Sequence, residues 1–421
     1  MELKPSFYNY SFEVESGFIG VLNTVTEAIA VLSTYEHRSL KTNYHSLSAD
    51  KIEYLVGNGF LVPYYKNEQK IIHATRIKSV EDPIRAVFRV LTTSDCNARC
   101  PYCYETGSTA DCMNSRTALQ VSRFIIDNAD DKPITVQWFG GEPLLNPIAI
   151  DDITTMLAES CKRENLEFSI VTNGSLISQD FIHKFRNAWS ITDVQISLDG
   201  VETEYISRKN YKDPKYTFNR VMKNLHNVID TGIKTRVRLN YDDENVSSIL
   251  SLIEILSKQF ATKENVYVYA YHLFDKSQGE KKFPDKNTWF LIQRALIDKG
   301  LANPLDVFKL RRKNGLCFAC SMNGYVIAPN GDLFKCSVSM DKLMKVGTIW
   351  DGITDYSLYY EWCDPSLCNT CISCLFLPLC QGGCRAGTMN LCSEACFPQK
   401  EFIDDVLRER LCFLQPVAEL R

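Results

Sequence analysis

Three cysteines stand at C-x3-C-x2-C spacing in the run Cys96-Asn-Ala-Arg-Cys100-Pro-Tyr-Cys103. Three thiolates on one short loop can hold three irons of a 4Fe–4S cube, since thiolate is the usual cluster ligand. A cube takes four ligands, so one iron stays open to bind and polarise a small molecule, as an open zinc position does. Zinc itself is the competing reading. It prefers two cysteine pairs, and these three cysteines have no nearby His.

A second array lies downstream: Cys317-x2-Cys320, then Gly331-x4-Cys336, then Cys371-x2-Cys374-x5-Cys380-x3-Cys384, followed by Cys396. Paired C-x2-C spacing also suits zinc knuckles, so taken alone this zone leaves zinc and iron–sulfur open. Cys368 and Cys392 compete as ligands at the two ends of the array, and Cys112, Cys161, Cys363 and Cys412 read as packed or free thiols.

The elements that must position these groups fall into zones. Residues 1–84 form a small α+β piece. It has short strands at 12–14 and 17–22, a helix at 47–57 capped by Ser48, a strand or wing at 60–63, and a linker at 66–80. From 85 to 309, six apolar strand candidates (87–93, 134–140, 167–173, 193–200, 234–241 and 266–273) alternate with helix candidates (115–129, 150–164, 179–188, 218–230 and 244–260). That β–α alternation calls for parallel strands with helical crossovers. Six units suggest a partial barrel, although a doubly wound open sheet has the same signature. Residues 310–400 are dense in Cys, Gly and Pro with weak periodicity, so metal crosslinks would have to hold them together. Residues 401–421 carry a closing helix at 401–413.

With the first cluster directly after the first strand and aromatic Tyr102 before its last cysteine, the chain resembles the radical S-adenosylmethionine (SAM) superfamily. The resemblance implies a partial (β/α)6 TIM-like barrel. It also implies an open iron that chelates the amino and carboxylate groups of SAM, and a 5′-deoxyadenosyl radical that abstracts a substrate hydrogen. The strand ends match the same family. Gly140-Gly141-Glu142-Pro143 is similar to its GGEP motif, which contacts the methionine amino group; glycines allow close backbone approach, and a carboxylate meets an ammonium. Thr172 and Asn173, and then Ser197 and Asp199, resemble positions near the nucleoside. Arg208 and Asn240 are candidates for the carboxylate and adenosine contacts. All sit at C-terminal strand ends, where parallel α/β folds bind ligands.

The downstream array is similar to the SPASM domain, the auxiliary-cluster extension of peptide-modifying radical enzymes. By that resemblance Cys317, Cys320, Cys336 and Cys384 hold one auxiliary 4Fe–4S cluster. Cys371, Cys374, Cys380 and Cys396 hold another. Cys320 lies closer to Cys317 than the family's usual spacing, which leaves open whether the first cluster takes one of the two and keeps an open iron. Residues 1–84 are similar in pattern to small precursor-peptide-binding domains. The implied function is a peptide maturase that installs a thioether, a carbon–carbon cross-link or a related oxidation. Its partners would be a short precursor peptide and a small reductant protein such as flavodoxin or ferredoxin. Sulfatase-type formylglycine formation is the alternative. It is weakened because relatives with that activity carry an Asp after the equivalent of Cys336, where this chain has Ser337 and, further on, Asp341.

The bulk numbers agree. The chain has 421 residues, 47 basic against 51 acidic, with formal net charge −4 and no basic footprint for nucleic acid. Its start lacks a signal-peptide pattern, and no apolar run reaches the ~18–20 residues of a membrane span. The expectation is a cytoplasmic protein, in which 17 cysteines mean metal rather than disulfides. A non-enzymatic zinc or iron–sulfur regulator is the reading of another class.

Overall fold

The computed structural model describes residues 2–103, 105, 110–273, 285–310, 316–389, 396 and 398–414. The chain divides into two compact units. One comprises Met1–Asp82, Pro304–Cys317 and Asp364–Arg421; the other comprises Pro83–Asn303 and Phe318–Cys363.

In the first unit, β1 (Leu3–Pro5) pairs antiparallel with β5 (Leu61–Pro63). A meander of β2 (Asn9–Glu15), β3 (Phe18–Asn23) and β4 (Ile29–Ser33) forms a second sheet. Helices α1 (Thr34–Thr42) and α2 (Ala49–Gly57) close a core of Val21, Leu32, Leu40, Leu55 and Phe60. Ser33 and Glu36 form a reciprocal capping box on α1, and Ser48 caps α2 as the sequence predicts. The predicted linker at 66–80 is instead helix α3 (Glu68–Glu81). Its buried positions are Glu68, Arg76 and Val80. Two of the three are charged, so it carries no apolar stripe for periodicity to detect.

Side chains of residues 1–82 bond backbone carbonyls throughout the cysteine-rich segment of the same unit. Arg76 Nε donates to Pro365 O at 2.8 Å, and its terminal nitrogen donates to Gln381 O. Thr24 Oγ1 donates to Leu375 O at 2.5 Å, and Gln69 Nε2 to Ile372 O at 3.4 Å. Tyr10 donates to Asp404 Oδ1 at 2.7 Å on the closing helix Ile403–Phe413, and its ring lies 4.7 Å from that of Phe376.

The second unit is built on six parallel strands: β6 (Ala86–Thr93), β7 (Ile134–Gly140), β8 (Leu166–Thr172), β9 (Ile191–Leu198), β10 (Lys234–Tyr241) and β11 (Val266–His272). They neighbour one another in chain order, each bonded to the next. A doubly wound sheet reverses direction at a switch point, and this one does not. The sequential order is that of a barrel wall, which decides between the two architectures the sequence left open. Helices α4 (Ser115–Asp127), α5 (Pro147–Ser160), α6 (Gln179–Arg186), α7 (Glu202–Lys209), α8 (Phe218–Ile229) and α9 (Val246–Phe260) connect the strands. Helix α10 (Lys286–Asp298) packs on α9 and β11.

The wall does not close on itself. The free side of β6 is taken by β12 (Gly324–Ile327), which runs parallel to it. Antiparallel β13 (Asp332–Phe334), β14 (Gly347–Thr348) and β15 (Gly352–Ile353) continue the sheet. Part of the zone expected to hang on metal alone therefore belongs to the barrel sheet.

Candidate active site

The loop after β6 is held by the loop after β7. Gly141 N donates to Thr93 O at 3.1 Å, and Glu142 N donates to Asp95 O at 2.9 Å. A Cβ on Gly140, whose φ is +117°, would meet Thr93 O at 2.3 Å, and one on Gly141 would meet Asp95 O at 2.2 Å. Both glycines are thus required by the approach of their own backbone to residues 93–95, the segment that launches Cys96. Asp95 Oδ1 caps Cys96 N at 2.8 Å and pairs with Lys212 at 2.8 Å. Arg99 N donates to the Lys209 carbonyl at 2.9 Å, and its guanidinium to the carbonyls of Cys96 and Ala98.

The Glu142 carboxylate is fully buried. It accepts from Thr172 Oγ1 at 2.7 Å, Asn173 N at 2.8 Å and Leu144 N at 3.2 Å. Burial pushes its pKa up to about 7, against the pull of those donors. Asn173 in turn donates to Asn97 Oδ1 at 2.8 Å and reaches Cys96 Sγ at 3.9 Å. Asn97 donates to Ser175 Oγ at 2.8 Å. A continuous bonded chain therefore runs from the GGEP carboxylate to the first cysteine.

A second buried group centres on Asp199. It accepts from Tyr102 OH at 2.6 Å and Asn240 Nδ2 at 2.9 Å, and pairs with Lys209 Nζ at 2.9 Å. Lys209 also donates to Ser197 Oγ at 2.9 Å, while its carbonyl faces the Cys100 thiol at 3.8 Å. Burial alone would neutralise Lys209, but Asp199 together with Tyr102, Cys100 and Tyr205 outweighs it and holds the ammonium form well above its ordinary pKa.

The predicted residues Cys96, Cys100, Cys103, Tyr102, Glu142, Thr172, Asn173, Ser197, Asp199 and Asn240 thus come to one strand edge. Arg208 sits beside them with its guanidinium committed elsewhere: it bonds Asp242 at 2.5 and 2.8 Å, Glu204, and Glu244 at 3.5 Å. The buried cation bonded within the site is its neighbour Lys209, which sequence reasoning passed over. Asn97 and Ser175 were passed over as well. Asn97 carried a signal, since it lies inside the cysteine motif.

The donor set fits an iron–sulfur cube. Three thiols share one loop and burial raises all three pKa values; Cys96 reaches about 12 through burial first, then the Glu142 charge, with Cys100 and Cys103 adding to it. Mutual repulsion among thiolates is the condition that bound iron relieves. Among the described residues no three His, Cys, Asp or Glu side chains converge on a single-ion site.

In the first unit, Cys371 is pushed up to about 12 by burial, then by the Cys368 thiol and the charges of Cys380 and Cys396. The Thr370 hydroxyl first, and then Cys371, hold Cys368 down to about 7. Four sulfurs, at Cys368, Cys371, Cys380 and Cys396, therefore lie within electrostatic reach. Of the other predicted ligands, Cys317 and Cys384 belong to this unit, and Cys320 and Cys336 to the barrel unit. Cys392 lies outside the described residues. No described helix is long and apolar enough to cross a membrane.

The Radical SAM superfamily profile matches residues 90–256. Fe-coproporphyrin III synthase of Methanosarcina barkeri is 25% identical over 189 residues, 45% of this chain and 44% of that protein. The chain spans about half the length of two such curated relatives, 44% and 56%. The radical SAM cyclopropyl synthase TigE of Paramaledivibacter caminithermalis is 23% identical, covering 88% of this chain and 83% of its own. The fold is similar to that of Streptococcus suis SuiB, solved with S-adenosylmethionine and with its precursor peptide SuiA. Both comparisons have TM-score 0.51 and cover 91% of this chain and 95% of SuiB, at 14% and 16% identity.

Proposed function

Because the chain is an enzyme of the radical SAM superfamily, we propose that it is a SPASM-type maturase that modifies a ribosomally made peptide. The observation that carries this reading is the bonded chain from Glu142 through Asn173 and Asn97 to the cysteine loop, facing the buried Lys209–Asp199 pair. Cys96, Cys100 and Cys103 would hold three irons of a 4Fe–4S cluster. When bound and reduced, that cluster supplies the electron that cleaves SAM to the 5′-deoxyadenosyl radical.

This chain's own residues orient the cosubstrate. Glu142 and the backbone of residues 140–142 line the amino side. Lys209 offers a fixed positive charge for a carboxylate. Asp199, Asn240 and Ser197 offer hydroxyl-bonding groups for a ribose. Thr172 and Asn173 fix Glu142 rather than reach outward.

Residues 310–400 would hold two auxiliary clusters, through Cys317, Cys320, Cys336 and Cys384 and through Cys371, Cys374, Cys380 and Cys396, with Cys368 beside the latter set. They would take the electron that a substrate radical must lose. A flavodoxin or ferredoxin is the class of partner that would reduce the enzyme. Residues 1–84 would bind the precursor peptide. Arg408 bonds the Glu13 carbonyl on one edge strand, β2, at 2.8 Å. The opposite edge strand β4 has no strand partner on its outer side among the described residues, and it suits addition of an extended peptide.

Formylglycine formation is less favoured. Ser337 is buried and accepts from Arg89 at 2.6 Å, and Asp341 caps the turn at Lys342–Met344 through Leu343 N. Neither supplies an unengaged base.

The test is anaerobic co-expression with a candidate short peptide, followed by intact-mass analysis. Loss of hydrogen pairs is expected for a cross-link or thioether. An unmodified peptide beside enzyme that cleaves SAM, together with a modified sulfatase-type target, would replace this reading by protein maturation.

A further inference from the structure

Tyr8 lies just before β2 and its side chain is fully buried. Its hydroxyl oxygen has no hydrogen-bond partner among the described residues. A phenol deprived of water without a partner is costly, and native proteins rarely leave one unexplained. Its surroundings are fixed in detail. Tyr8 N donates to Ser6 Oγ at 3.1 Å, and Ser6 donates to Glu68 Oε1 at 2.7 Å. The Tyr8 carbonyl accepts from Thr24 N at 3.0 Å, and Thr24 Oγ1 bonds the carbonyl of Leu375, the residue after Cys374. Glu68 is already engaged by Ser6 and by Phe7 N at 2.8 Å, so it is not the missing acceptor. Cys374 also lies within electrostatic reach of the phenol. A tyrosine hydroxyl is a hydrogen-bond donor at neutral pH.

We propose that the Tyr8 hydroxyl donates a hydrogen bond to the sulfur shell of the auxiliary cluster held by the Cys374 segment, so that the N-terminal domain sets that cluster's reduction potential. The inference rests on the auxiliary-cluster reading given above. The physical effect has a definite sign. Reduction adds negative charge to the cluster, and a donor aimed at its sulfurs stabilises the more negative state. Removing the hydroxyl therefore makes the cluster harder to reduce. A hydrogen bond to a charged group is stronger than one between neutral groups. Part of that strength falls differentially on the reduced state, which corresponds to roughly a tenfold change in the reduction equilibrium, or about 59 mV for a one-electron couple.

The experiment uses the full chain carrying Cys96→Ala, Cys100→Ala and Cys103→Ala, reconstituted anaerobically so that only auxiliary clusters give paramagnetic signals. Spectroscopic redox titration compares this parent with the same protein carrying Tyr8→Phe or Tyr10→Phe. One auxiliary signal is expected to move to more negative potential in Tyr8→Phe, with the other signal and the Tyr10→Phe protein unchanged. Equal potentials for parent and Tyr8→Phe, or an equal shift in Tyr10→Phe, overturn the proposal. Electron–nuclear double resonance on the parent is independent of how the variants load iron. Exchange into D2O must introduce a deuteron coupling at the shifted cluster, and its absence overturns the proposal whatever the variants do. A parent that binds no auxiliary iron at all would instead remove the cluster reading on which the proposal stands.

Discussion

Lys209 and Asp199 form an ion pair at 2.9 Å in which the two side chains are 3% and 0% exposed. Removing one partner of such a pair strands a charge away from water, which costs about 3–5 kcal/mol. Lys209→Met is expected to lower stability by that order in chemical denaturation, and to weaken equilibrium binding of SAM to the reconstituted enzyme. Wild-type stability and affinity in Lys209→Met would remove this lysine from the site. Arg208→Met should spare SAM binding, because that guanidinium serves Asp242 and Glu204.

That second pair yields a pH prediction. Burial tends to raise the Asp242 carboxyl, but the hydrogen bonds and charge of Arg208, with the backbone N–H groups of Glu244 and Asn245, together outweigh it and the net shift is downward. A depressed carboxyl stabilises the fold above its unfolded pKa, about 4, and loses that contribution as pH falls through the folded value. Asp242→Asn is expected to cost about 2–3 kcal/mol at pH 7. The difference from wild type should shrink in denaturation series as pH falls below about 4 and vanish once pH lies below the depressed folded-state value. A penalty that is constant with pH would show that packing, not charge, is what Asp242 provides.

The two glycines after β7 should be intolerant in a way that reports on the cysteine loop. Gly140→Ala and Gly141→Ala force a methyl against Thr93 O and Asp95 O, so both are expected to lower the unfolding temperature and the iron bound at Cys96, Cys100 and Cys103. Gly57→Ala, where a Cβ meets nothing within 4 Å, is the matched control. It should be neutral or stabilising by up to about 1 kcal/mol. Full iron occupancy in the Gly141 variant would mean that residues 93–95 can yield without moving the thiols.

Replacing Cys96, Cys100 and Cys103 together by Ala should abolish reductive cleavage of SAM and lower iron content while leaving auxiliary iron in place. Product analysis and iron determination on the same sample separate the two effects. Undiminished cleavage in that variant would refute the assignment of these thiols.

The barrel was readable because its strands are buried on the helix side and bounded by turn residues. The predicted strands at 134–140 and 234–241 coincide with β7 and β10. The candidate site was readable through motifs whose residues do different jobs in one place, such as Gly141 and Glu142. What escaped was set by long-range partners. Helix α3 buries Arg76, a residue that reads as exposed until its acceptors at Pro365 and Gln381 are known. Strand β12 is four residues long and depends on β6, more than 200 positions earlier, for its ladder. Lys209 and Arg208 are adjacent cations on α7, and only the turn of that helix decides which one meets Asp199.

The bonds that tie Arg76 and Thr24 to the carbonyls of Pro365, Gln381 and Leu375 also dictate an order of events during synthesis. Residues 1–82 leave the ribosome before the barrel, yet the acceptors they need are made 289, 305 and 351 positions after their donors, beyond the six barrel strands. Local structure such as the meander and α2 can form early, but docking of Arg76 must wait for Pro365 and Gln381. The unit that carries Cys371, Cys374 and Cys380 is therefore a late-closing one. Iron delivered to those thiols would arrive after the barrel strands have been made, as Thr24 and Arg76 are being fastened to residues 365–381.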